Sequence, residues 1–70
     1  MRDLTLIARN SRWVLLDENV AELGQFATEG AALTAASGYV RAWRESAFIL
    51  IGDADGEWRE EQLLPESHHH

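Results

Sequence analysis

Cysteine is missing from this 70-residue chain, and so is lysine. The first absence excludes disulfides, thiolate metal sites and thiol nucleophiles. The second excludes Schiff-base chemistry. Histidine occurs only as His68, His69 and His70 at the end of the chain, and these read as an appended purification tag. Without them the commonest general base and the commonest metal ligand are gone, and acid–base work would fall to carboxylates, Tyr39 or water. No catalytic residue, metal or cofactor is expected. Long apolar runs are lacking too, so no segment spans a membrane as a helix. Leu4 to Ala8 is too short an apolar run for a signal peptide. A cysteine-free chain fits a bacterial cytoplasm, which is the expected location.

Positive charge is scarce. Six arginines face twelve acids, a net charge of −6, and half of the acids lie between Asp53 and Glu66. A domain that tracks phosphates needs a basic patch, so nucleic-acid binding is not expected. The acidity serves solubility or matches a basic protein partner.

Apolar residues are plentiful, at 46% of the chain. Leu4 to Ala8 and Arg12 to Leu16 flank the turn pair Asn10-Ser11 and read as a β-hairpin. Val20 to Phe26 is ambiguous: it either extends the second strand through a bulge or forms a loop bent at Gly24. Thr28 is a good N-cap with Glu29 in the first turn. Leu33, Ala36, Val40 and Trp43 then recur at helical spacing, widened by Ala32 and Tyr39. The helix runs from about Thr28 to Arg44, with Thr34, Ser37, Arg41 and Glu45 on its polar side. Arg41 and Glu45 are spaced to pair, and Gly38 suggests a close approach, for instance by a tryptophan. Ala47 to Ile51 is an aliphatic strand. Asp55-Gly56 signals a second hairpin, closed by a charged edge strand over Glu57 to Leu63.

These elements predict an α+β fold over residues 1–65, with 66–70 a disordered tail. The expected architecture is ββαββ: a four-stranded, mainly antiparallel sheet of two hairpins, in the order 2-1-3-4, with one helix packed on one face. The order and spacing of Ile7-Ala8-Arg9-Asn10, Trp13-Val14-Leu15, Phe26-Ala27-Thr28, Ala31-Ala32, Ala35-Ala36, Phe48-Ile49-Leu50-Ile51 and Asp55-Gly56 carry a resemblance. Over about residues 5 to 62 the chain resembles the small bacterial domain of unknown function family 2188. It departs from that pattern in its acidity and in lacking a glycine-rich tail. The resemblance implies the ββαββ fold and brings no activity with it.

Three candidate chemistries are outweighed by structural roles. Asp53-x-Asp55-Gly56-Glu57 resembles a fragment of a calcium loop but lacks the twelve-residue spacing, so it reads as a turn. Each tryptophan has an arginine beside it (Arg12-Trp13, Trp43-Arg44, Trp58-Arg59), yet neighbours on a strand point to opposite faces and need not form one stacking surface. Trp13 and Trp43 read as core. Asp17, Glu18 and Glu22 could join the C-terminal acids in a carboxylate cluster, but no pocket to separate their pKa values is apparent.

One helix shelters one face of a sheet, and apolar residues occupy both faces of these strands. The expected function is therefore a non-enzymatic binding or assembly domain that self-associates, as a homodimer, through its open sheet face. The alternating sets are Val14, Leu16, Ile49 and Ile51 on one side and Trp13, Leu15, Phe48 and Leu50 on the other, with the set that meets the helix left open. Interface candidates are Val14, Leu16, Ile49, Ile51 and Trp58. An alternative is an acidic, phage-type inhibitor or adaptor that mimics nucleic acid and binds a basic protein. A third reading is a ligand-binding or enzymatic module using a cleft beside the helix.

Overall fold

The computed structural model describes residues 2–65, so the tail predicted at 66–70 and its histidines lie outside the described residues. The element order is β1 (Arg2–Arg9), β2 (Arg12–Leu16), β3 (Glu22–Phe26), α1 (Glu29–Trp43), β4 (Ala47–Gly52) and β5 (Trp58–Leu63). The α+β class and the single helix agree with the sequence. The strand number does not: the sheet has five strands in the order β3-β2-β1-β4-β5.

The additional strand is the ambiguous segment. β3 pairs with β2 at the sheet edge through a register shift between Leu15 and Leu16, which interrupts any clean two-residue alternation. Gly24 in its middle further weakens the pattern. The ring of Phe26 lies over Gly24, where an added Cβ would sit 3.0 Å from the ring, so a residue that reads as a strand breaker makes room for a core aromatic.

This one strand also corrects the polarity of the sheet centre. Two strands before the helix would return the chain antiparallel to β1. A third reverses its direction once more, and β4 lies parallel to β1, with Leu4 opposite Ile49 and Leu6 opposite Ile51. The predicted neighbours β2-β1-β4-β5 are right, and the other three pairings are antiparallel.

The helix begins where Thr28 Oγ1 accepts a hydrogen bond from Ala31 N at 3.0 Å. It ends at Arg44, in the left-handed region at φ 57°, with Glu45 N donating to Val40 O. Glu45 therefore lies beyond the helix and does not extend its polar face; it pairs with Arg2 at 3.3 Å. Ala32, Ala36 and Val40 are fully buried against Leu4, Leu6, Leu15, Ala47, Ile49 and Ile51. Leu33, Tyr39, Trp43, Trp13, Leu23, Phe26 and Leu63 pack around this cluster. Alanines at the contact bring the helix close to the sheet, and docking supplies stability that a two-glycine helix lacks alone. Tyr39 Oη donates to Leu23 O at 3.3 Å, and the Arg2 guanidinium stacks 4.2 Å from the Trp43 ring centroid. Together these fasten the C-terminal half of the helix to β3 and β1. At the other end Glu29 pairs with Arg59 on β5. A Cβ added at Gly38 would meet nothing within 4 Å, so no tryptophan approaches it.

Two of the hairpins share one turn. In the β4–β5 turn, Asp53 Oδ1 accepts from Asp55 N and Glu57 N at 2.9 and 3.0 Å, and Gly56 takes φ 84°. In the β2–β3 turn, Asp17 Oδ1 accepts from Asn19 N and Ala21 N at 2.8 and 2.9 Å, and Val20 takes φ 63°. The backbone bonds correspond as well: Val20 N to Asp17 O and Asp17 N to Ala21 O match Gly56 N to Asp53 O and Asp53 N to Glu57 O. A β-branched residue thus stands where its counterpart is glycine, in a region such residues rarely occupy. Val20 is 72% exposed, so no packing offsets the strain. Val20→Gly is expected to stabilise the fold by about 1 kcal/mol, relief of backbone strain exceeding the added chain entropy. Asp17→Ala, which strips two backbone donors of their acceptor, should cost about 1–2 kcal/mol. Urea denaturation of the two variants checks both signs.

Candidate functional site: the open sheet face

Strand alternation divides the side chains cleanly once the registers are known. Leu4 and Leu6 of β1 face the helix. Their partners Leu15, Ile49 and Ile51, and Trp13 opposite Ala8, share that side. Ile7, Thr5 and Asp3 face away, with Val14 and Leu16 opposite Ile7 and Thr5, and Phe48, Leu50 and Gly52 opposite Asp3, Thr5 and Ile7. The sequence-based sets are therefore mixed. Val14 and Leu16 share a face with Phe48 and Leu50, while Ile49 and Ile51 are fully buried beneath the helix and leave the set of interface candidates. The error has a physical source. Alternation fixes sides within a strand, but only inter-strand register relates the sides of different strands.

The open face reads as rows across the sheet. The first holds Gln25, Val14, Ile7, Gly52 and Trp58; the second Glu22, Leu16, Thr5, Leu50 and Glu60; the third Asp3, Phe48 and Gln62. The centre is apolar, with Leu50 41% and Trp58 54% exposed. The sheet is thus not dry on one side and polar on the other. Ile7, Phe48 and Leu50 are the face residues that the sequence-based interface candidates omitted. Ile7 looked like one more residue of an all-apolar strand, and only its pairing with Val14 and Gly52 places it at the centre of the face.

Trp58 is positioned by a glycine. It pairs with Gly52, and a Cβ added at Gly52 would lie 2.6 Å from the far end of the indole. The ring therefore lies flat across the Gly52 backbone, an aromatic covering a strand glycine. The glycine–tryptophan approach expected at Gly38 occurs here.

Charges frame the face. Arg9 and Arg12 sit directly opposite each other at one end, an unfavourable arrangement for like charges. Among the described residues the ion pairs formed by arginines use Arg2 and Arg59, and neither Arg9 nor Arg12 takes part in one. Asp3 lies at the opposite end of β1, with Glu60 at the β5 edge. Beside the arginines is a depression of about 300 Å³ that also touches Asn10, Trp13 and Ala54. It contains no carboxylate or other base, so it offers no acid–base pair.

The remaining sequence candidates have structural roles. Asp17 braces its turn, Glu18 pairs with Arg2 at 3.5 Å, and Glu22 accepts from Gln25 Nε2 at 3.1 Å. These three sit near β3, across the full sheet from the acids of β5, so no carboxylate cluster forms between them. Asp53 is occupied with backbone donors rather than arranged as a cation loop. Trp13 turns toward the helix while Arg12 turns away; Trp58 and Arg59 divide in the opposite sense, Trp58 on the open face and Arg59 on the helix side. Arg59 bonds Glu29 and Glu61, which raise its pKa above the ordinary arginine value. Among the described residues no polar side chain is buried and no group of three or more His, Asp or Glu is arranged to hold a metal ion. None of their helices is long and apolar enough to cross a membrane.

Gly52→Ala should force the indole off the sheet. The Trp58 side-chain N–H resonance is expected to move in two-dimensional NMR, with a loss of about 1–2 kcal/mol in stability. An unmoved resonance would contradict the stacking. No family model matches this chain, and neither does any curated protein or solved structure.

Proposed function

We propose that this chain is a small non-enzymatic assembly module that pairs with a second copy through its open sheet face. The observation that carries this reading is the apolar centre built by Ile7, Leu16, Phe48, Leu50 and Trp58 around Val14, itself only 4% exposed, on the side away from the helix. A five-stranded sheet at ~4.8 Å spacing and about 20 Å of strand length presents roughly 450 Å² of flat area per copy. Two copies would cover roughly 900 Å², at the small end for specific interfaces. With about half of that area apolar, burial at about 25 cal/mol per Å² supplies about 11 kcal/mol, which association costs of about 4–15 kcal/mol largely offset. A weak, concentration-dependent pair is the expected product.

The distribution of acids favours this reading over a nucleic-acid mimic. A mimic needs its carboxylates on one surface. Here Asp3, Glu22 and Glu60 stand apart at the margins of the open face around an apolar centre, while Glu61 lies on the helix side and is engaged by Arg59. The resemblance to domain of unknown function family 2188 remains a proposal about ancestry.

Leu50 is the position to test, because its exposure means that a charge there costs the monomer little. Light scattering across a micromolar-to-millimolar range should show the wild type moving from one-copy to two-copy mass, and Leu50→Asp remaining at one-copy mass with an unchanged melting temperature. A wild type that stays at one-copy mass throughout would refute self-association.

A further inference from the structure

We infer that the two copies stack with their strands antiparallel across the interface, related by a two-fold axis that runs across the strands, so that Arg9 and Arg12 of one copy face Asp3 of the partner subunit. This rests on the self-association reading and specifies its geometry. The observations behind it are the charges at the two ends of the face and, among the described residues, the absence of ion pairs at Arg9 and Arg12.

A face-to-face pair with two-fold symmetry has two simple orientations, since the axis lies either along the strands or across them. An axis along the strands at β1 would set Arg9 over Arg9 of the partner subunit. It would add a like-charge contact to the Arg9–Arg12 opposition already present. An axis across the strands exchanges their ends. Arg9 and Asp3 lie on the same side of β1, six residues and therefore about 20 Å apart. An axis passing over Leu6 superposes each on the other. It also lays the row of Leu16, Thr5 and Leu50 over the row of Val14, Ile7 and Gly52. Leu50, which projects, then falls above Gly52, where a side chain is missing and the Trp58 indole forms the floor. The projection meets the recess, and the cations meet the acid. Two arginines outside the ion pairs of the described residues, in a chain of net charge −6, thereby acquire a carboxylate without any rearrangement of the monomer.

The test is a charge exchange at exposed positions: Arg9→Glu with Arg12→Glu in one variant, and Asp3→Arg in the other. Each variant alone places like charges face to face and should dimerise at least ~10-fold more weakly than wild type. A one-to-one mixture restores opposite charges at both ends, so light scattering should recover two-copy mass as a mixed dimer. Circular dichroism of each variant confirms that it folds. Variants that each dimerise as wild type does would overturn the proposed orientation while leaving self-association intact. Variants that each dimerise as wild type does, together with tighter mixed dimers of the arginine variant and wild type, would establish the strand-parallel axis instead, since that axis sets position 9 of one copy over position 9 of the other. A wild type that never exceeds one-copy mass removes the underlying reading itself.

Discussion

The β1–β4 ladder is the contact on which the remainder of the molecule is built. Leu4 against Ile49 and Leu6 against Ile51 form a fully buried aliphatic block at the sheet centre. Ala32, Ala36 and Val40 close over it from above. Because those helix side chains are small, the helix lies near the sheet and its larger residues, Tyr39 and Trp43, are displaced to the periphery. There they meet Leu23 and Arg2. Every polar attachment between helix and sheet described above lies at the margin of this block, and none interrupts it. The core therefore carries no desolvated polar group to be compensated.

The same block sets what is left uncovered. Parallel pairing of β1 with β4 puts Ile7 beside Gly52, and the flat backbone at Gly52 lets Trp58 lie down across the edge. The face that results has a recess, a projecting Leu50 and charge of opposite sign at its ends. A single helix cannot reach it, and the described residues supply no second layer. Small domains commonly resolve such a shortage of core by association.

Much of the local structure was legible in the residues. Thr28 as N-cap, the stripe from Ala32 to Trp43, the Asn10-Ser11 turn and the Asp-braced turn before Gly56 all follow from short-range chemistry, and all appear. β3 was not legible, because its glycine and its irregular register erase the alternation by which strands are recognised. The identity of the Asp17 turn with the Asp53 turn was hidden for a related reason: Val20 occupies the position that glycine would have announced.

By itself, then, the sequence determined the elements built from neighbouring residues and the exclusion of cysteine and lysine chemistry. It also determined the surplus of apolar strand surface over what one helix shelters. Tertiary structure alone decided the parallel centre of the sheet, the sorting of Ile49 and Ile51 from Leu50 and Phe48, and the opposition of Arg9 to Arg12. The reason is that backbone propensities and side-chain periods act within a segment. Register and polarity are relations between segments, fixed only when distant strands hydrogen-bond and bury one shared face.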